Sequence, residues 1–184
     1  MNRFSSIFGQ IRHLFSRREF FETVYATQAE RGAKGFSCWD QFVAMLFCQL
    51  GQAHSLREIC GGLASCYGKA KHLGLRKAPK RSTLSYANEY RPWQLYEKTF
   101  YQLLGKCRQL DFGTRRFRFK NKLMSLDAST VDLVLSLFDW AKFRRTKGAV
   151  KLHLLLDHDG YLPSFAVITT GKISDITVAR RMRF

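Results

Sequence analysis

Residues 123–130 read LMSLDAST, which sets the carboxylate of Asp127 in an apolar, strand-like run. Five cations follow within residues 142–151, namely Lys142, Arg144, Arg145, Lys147 and Lys151, with no acid among them. An aspartate can be one oxygen ligand of a hard divalent cation such as Mg²⁺, and a basic cluster can hold the phosphates of a polyanion. Phosphodiester chemistry with two metal ions asks for more, because ions roughly 4 Å apart are held by several carboxylates. Asp127 is therefore at most one ligand of such a site. Downstream stand Asp132, Asp139, Asp157, Asp159 and Asp175, and no glutamate follows Glu97. Asp157 and Asp159 flank a turn and read as solvated. Asp175 suits the first turn of a helix, where the macrodipole favours a negative charge. His153, between Leu152 and Leu154, reads as a satisfied sheet-face histidine rather than a base.

The elements that must position these residues change character along the chain. From Leu123 the apolar period is two, with Met124, Leu126 and Ala128 alternating against Leu123, Ser125 and Asp127. After an irregular loop come two further strands, AVKLHLLLD and YLPSFAVIT, joined at HDG, where Asp159-Gly160 is a favoured hairpin turn. Ser174 is placed to cap a following helix. The first 110 residues read instead as helices. Phe4 to Phe15 keep helical spacing, Ser16 with Glu19 predicts a capping box, and RGAKG (31–35) is a break. Ser37 with Asp40 starts the clearest helix, striped by Trp39, Phe42, Val43, Leu46, Phe47 and Leu50. Ser55 caps a shorter one that Gly61 and Gly62 weaken. A basic connector, HLGLRKAPKR, leads to a helix over 82–90 with Ser82 as its cap. A helix pair of this kind is what a helix-turn-helix needs, with Arg81 and Ser82 placed to meet DNA. Trp93, Tyr96, Phe100, Leu103, Leu104 and Cys107 predict one more core-facing helix, and 111–122 is a basic linker.

Composition bounds the partners. Of 184 residues, 46% are hydrophobic and 16 are Phe, enough for a buried core. Thirty-one basic against 14 acidic residues give +17, which points to a polyanion. Both parts share the excess, with 17 basic and 7 acidic residues in 1–110 and 14 and 7 in 111–184. That distribution suits an extended surface better than a targeting tail. The five cysteines have no metal- or redox-type spacing and are expected to be buried, reduced thiols. Arg3, Gln10, Arg12 and His13 break the N-terminal apolar run, so neither a signal peptide nor a membrane span is expected.

LDASTVDLVLSLFDWAKFRRTKGAVKLHLLLD, followed by PSFAVITTGKISD, resembles the start of the catalytic domain of DDE transposases of insertion sequence family four. FSCWDQFVAMLFCQL, SLREI, HLGL and RSTLSYANEYRPWQLYEKTFY resemble the helical domain that precedes it. The two blocks agree in order and spacing from about Phe15 to Ala179. The resemblance implies an α+β chain: an all-helical N-terminal domain over 1–110, then an incomplete RNase H-like β-β-β-α unit over 123–184. It further implies Mg²⁺ as cofactor, DNA strand cleavage and transfer at element ends, and Asp127 as first catalytic aspartate and metal ligand. The family's second aspartate and its glutamate have no counterpart before Phe184. The chain is therefore expected to be a truncated transposase, inactive alone, with the strand of Asp127 left as an unpaired edge. Element-end DNA, a second copy or full-length transposase are the implied partners, and the nucleoid in the cytoplasm the implied location. The alternative is a non-catalytic DNA-binding product that inhibits or regulates intact transposase, or a decayed gene remnant.

Overall fold

A computed structural model describes residues 7–66, 69–110, 121–133, 142–144, 147–159 and 162–181. Its helices are α1 (Ile7–His13), α2 (Arg17–Thr27), α3 (Cys38–Leu50), α4 (Leu56–Ser65), α5 (Ala70–Leu73), α6 (Arg81–Tyr90), α7 (Gln94–Gln109) and α8 (Asp175–Ala179). Its strands are β1 (Met124–Leu133), β2 (Lys142–Arg144), β3 (Lys147–Asp157) and β4 (Leu162–Thr170). The class is α+β, with the helices gathered in the N-terminal part. The chain divides into two compact units, residues 1–103 and 104–184. No helix among the described residues is long and apolar enough to cross a membrane.

In the first unit α3 is the central element. Gly32 and Gly35 take positive φ, 73° and 81°, and turn the chain into it. Ser37 and Asp40 then close a capping box: Ser37 Oγ accepts from the Asp40 N–H at 3.0 Å, and Asp40 Oδ2 accepts from the Ser37 N–H at 3.2 Å. Cys38, Trp39, Phe42, Val43 and Ala44 are buried against Phe20 and Val24 of α2, Ile59 and Leu63 of α4, Leu84 of α6 and Leu95 of α7. Aromatic edges dominate the packing. Phe20 meets Trp39 at 5.2 Å and Phe15 meets Phe42 at 4.9 Å, both edge-on. Further along α3 burial falls off, and Leu50 is exposed.

Several local expectations need correction. Gly61 and Gly62 do not interrupt α4. A Cβ at Gly62 would lie 3.0 Å from the Phe47 ring, so the missing side chain is what lets α4 approach α3. Ser82 is not the cap of its helix. Lys80 takes that place with no side-chain bond, because the helix begins as soon as Pro79 allows and Leu84 N–H reaches Lys80 O. Trp93 is exposed; Leu104 is buried as expected, and Leu95 and Thr99, outside the expected stripe, are buried with it. Residues 66–80, which contain α5, separate α4 from α6, so the pair lacks the short turn of a helix-turn-helix. Ser16 caps α2 as expected, accepting from the Glu19 N–H. All five cysteines are free. Cys38 is buried, and that burial pushes its thiol up to about 12, whereas the other four are only half-buried. Phe4 and most of the 111–122 linker lie outside the described residues.

The second unit is an antiparallel sheet built around β3, with β1 on one side and β4 on the other. The irregular loop of the sequence holds a further short strand, β2, which pairs the start of β3. Among the described residues β1 is an edge. Its burial alternates as the sequence predicts: Met124, Leu126 and Ala128 are half-buried, and Ser125, Asp127 and Ser129 are exposed. A bulge between Leu155 and Leu156 accommodates Pro163, which lacks an N–H, and Ser164 Oγ fills the gap by donating to Leu155 O at 3.1 Å. Ser174 caps α8, which packs against β1 and buries Val178.

Ser37→Ala removes half of the capping box and is expected to cost about 1 kcal/mol, read as a lower urea midpoint with an unchanged slope. At the β3–β4 turn the Asp159 N–H, and after it Lys122 Nζ at 3.0 Å, hold the Asp157 carboxyl below its ordinary value. A carboxyl lowered by folding contributes stability above its unfolded value, about pH 4, and loses it as pH falls through the folded value. Asp157→Asn should therefore flatten the loss of stability on acidification below about pH 4, measured as urea midpoint against pH.

Candidate functional site

Strand register decides what surrounds Asp127. It pairs Leu154, which in turn pairs Ala166, and Ser125 and Ser129 flank it on the same face. The side chain is exposed, with Oδ1 accepting from the Ala128 N–H at 2.8 Å. That contact is local and leaves the carboxylate open to a ligand. The other described acids fall elsewhere. Asp132, five positions along β1, points to the opposite face, as does Asp157, which pairs Met124 and bonds Lys122. Asp139 lies outside the described residues. Among those described, no group of three or more His, Cys, Asp or Glu is placed to hold a metal ion.

The cations predicted beside Asp127 divide in the same way. Lys142 and Arg144 lie in β2 opposite Gly148 and Lys147, so three of the five share one short ladder. Arg145 lies outside the described residues. Lys151 pairs Thr130 and Thr169, on the face that carries His153 and not on the face of Asp127. That separation is a correction to the picture of one cluster beside one carboxylate, and its cause is the two-residue period of the strand.

His153 is fully buried. Its Nε2 lies 2.8 Å from Thr169 Oγ1, and its Nδ1 lies 3.0 Å from Asp175 Oδ1, close enough for an ion pair but off the line of a hydrogen bond. The group ties α8 to the sheet, which fits a structural histidine. Asp175 thus has a role beyond that of a helix-start acid.

Arg81 and Ser82 open α6 at a second place of interest, in the helical unit. With Ser55, Leu56 and Arg57 at the start of α4, and Ser85, Tyr86, Glu89 and Tyr90 along α6, they line an open cleft of about 810 Å³. Tyr86 and Tyr90 are 65% and 64% exposed, yet their rings are 4.4 Å apart between centroids and inclined by 38°. The charge of Glu89 and its bond to the phenol raise Tyr90 above its ordinary value. Sequence reasoning found Arg81 and Ser82 but missed Arg57, Tyr86 and Tyr90. The available signal was the stripe 82, 85, 86, 89, 90, which lies opposite the buried Leu84 and Ala87.

If Asp127 serves a ligand and not the fold, Asp127→Asn should change stability by no more than about 0.5 kcal/mol. His153→Ala, which leaves Thr169 and Asp175 facing a void, should cost about 2 kcal/mol or more. Urea unfolding of the two variants checks the contrast.

Two comparisons with known proteins give a match. Residues 3–76 match a family model described as a domain of unknown function, DUF4372, which is less than half of the chain. The chain is also 28% identical over 102 residues to a probable transposase for insertion sequence element IS5377 from Geobacillus stearothermophilus. The alignment takes in 55% of this chain and 26% of that protein. The chain thus spans about a quarter of the length of the curated relative it matches. No solved structure matches.

Proposed function

We propose that this chain is the DNA-handling part of a DDE-type transposase, with Asp127 as one ligand of its metal site. The exposed carboxylate on β1 carries the reading, because its bond to the neighbouring Ala128 N–H is local and leaves it open to solvent. An antiparallel unit with that strand at its edge is what the first half of an RNase H-like catalytic domain would leave, since in the whole domain a fourth strand pairs β1, and the similarity to a probable transposase supports the same class. The net charge of +17 supplies the attraction to DNA, through Arg81 and the cations of β2 and β3, with the Ser82 hydroxyl as a neutral hydrogen-bonding neighbour.

The described residues do not fit a complete Mg²⁺ site. Asp127 has Leu154, Ala166 and two serines around it, and one carboxylate does not hold two divalent ions. Strand cleavage therefore needs carboxylates from outside the described set. Without them, the chain binds element ends as a non-catalytic partner. The lack of further acids on that face among the described residues favours a regulatory role, in which the chain occupies DNA ends or joins full-length transposase. The open edge of β1 offers a route to such pairing.

The chain is expected to bind duplex DNA carrying element ends, with affinity falling about 10³- to 10⁵-fold between 50 and 200 mM salt if it makes 6–10 phosphate contacts. It is expected to leave that DNA uncut in Mg²⁺. Electrophoretic mobility shift and nicking assays test both parts. A Mg²⁺-dependent nick that vanishes in Asp127→Asn would overturn the non-catalytic reading, and an absence of DNA binding at 50 mM salt would overturn the whole.

A further inference from the structure

We infer that the cleft between α4 and α6 binds unpaired DNA, with bases stacked on the Tyr86–Tyr90 pair and the backbone held by Arg57 and Arg81. The inference rests on the DNA-handling reading above and specifies a substrate form for a surface which that reading leaves open.

Two observations carry it. The first is the tyrosine pair. Aromatic rings one helical turn apart are ordinary in a core, but these are about two-thirds exposed and line an open cleft. Their inclined contact at 4.4 Å leaves outer ring faces bare. The natural complement of a bare, sequence-indifferent aromatic face is a nucleobase face. A duplex cannot supply one, since its base faces are stacked inside and only edges and phosphates reach a protein. The second is the placing of charge. Arg57 and Arg81 lie at the starts of the two helices, and Glu89 lies between the tyrosines along α6. Phosphates are drawn to the arginines and repelled by Glu89, which leaves the tyrosine rings to the bases. The serines of the stripe, Ser82 and Ser85, suit either phosphate or base edges. Ser55 is already engaged in capping α4 through the Glu58 N–H.

The full 184-residue chain is titrated with a fluorescein-labelled 15-nucleotide oligothymidine and with a blunt duplex of equal length, followed by anisotropy. Tyr86→Ala and Tyr90→Ala are each expected to weaken oligothymidine binding about 5- to 100-fold, with duplex binding unchanged within about twofold and the salt slope unaltered. Tyr86→Phe should restore binding, because the ring and not the hydroxyl stacks. Arg57→Ala and Arg81→Ala should each lower the salt slope for the single strand by about 0.7. Equal loss of single strand and duplex in the tyrosine variants, or no loss of either, overturns the inference while duplex binding by the parent chain upholds the DNA-handling reading. If the parent chain binds neither probe, both fall together.

Discussion

The guanidinium of Arg91, just past the end of α6, donates to Phe36 O, to Ser37 O at 3.0 Å and to Gln41 Oε1 at 3.0 Å, and lies over the Phe36 ring at 5.4 Å. Beside it, the buried Gln41 donates to Asn88 Oδ1 at 2.7 Å. Hydrogen bonds to a charged group are worth about 1.5–3 kcal/mol each, and several converge here on one turn of backbone at the start of α3. The same turn is fixed from the other side by its capping box and by Glu30, whose carboxylate accepts from the Cys38 N–H. The C-terminal end of α6 is thus bound to the capped start of α3. Its opposite face is left free to carry Ser82, Ser85, Tyr86, Glu89 and Tyr90.

A comparable constraint rules the sheet, where the strand period leaves no freedom to compromise. Once Ala128 pairs the buried His153, Asp127 must fall on the other face. His153 and Asp175 anchor α8 over the first face, so that face is occupied by packing and the second is open to ligands. Leu152, Ile168 and Val131 are exposed on the Asp127 face, where Asp127 is the one acid among the described residues and Ser125 and Ser129 are its polar neighbours. Chemistry that needs several carboxylates there must draw them from other residues, because a strand cannot turn a second acid toward the first without shifting register.

The parts that sequence revealed well were those governed by short-range rules. The caps at Ser16, Ser37, Ser55 and Ser174 are all present, and the alternation around Asp127 appears in the burial of β1. What escaped depends on distant neighbours. Ser82 has the right chemistry for a cap, but Leu84 buries only if the helix starts earlier. Trp93 has the right hydrophobicity for the core, but the turn at Pro92 places it outside. The grouping of Lys142 to Lys151 looked like one cluster in sequence, yet pairing sends Lys151 to the face away from Asp127. The tyrosine cleft was hidden because the start of α4 contributes a third of its lining, and no local pattern announces which helix will lie alongside.

At Gly62 a single hydrogen stands where any other residue would present a carbon against the Phe47 ring. The α3–α4 spacing therefore has a floor set by this glycine, and α4 carries Arg57 at its far end. Adding a side chain at position 62 would demand a few tenths of an ångström from the Phe47 ring or from α4. Where α4 gives, Arg57 moves with it relative to the tyrosines of α6. The gauge of the cleft is thus governed from behind, by a residue that touches nothing within it.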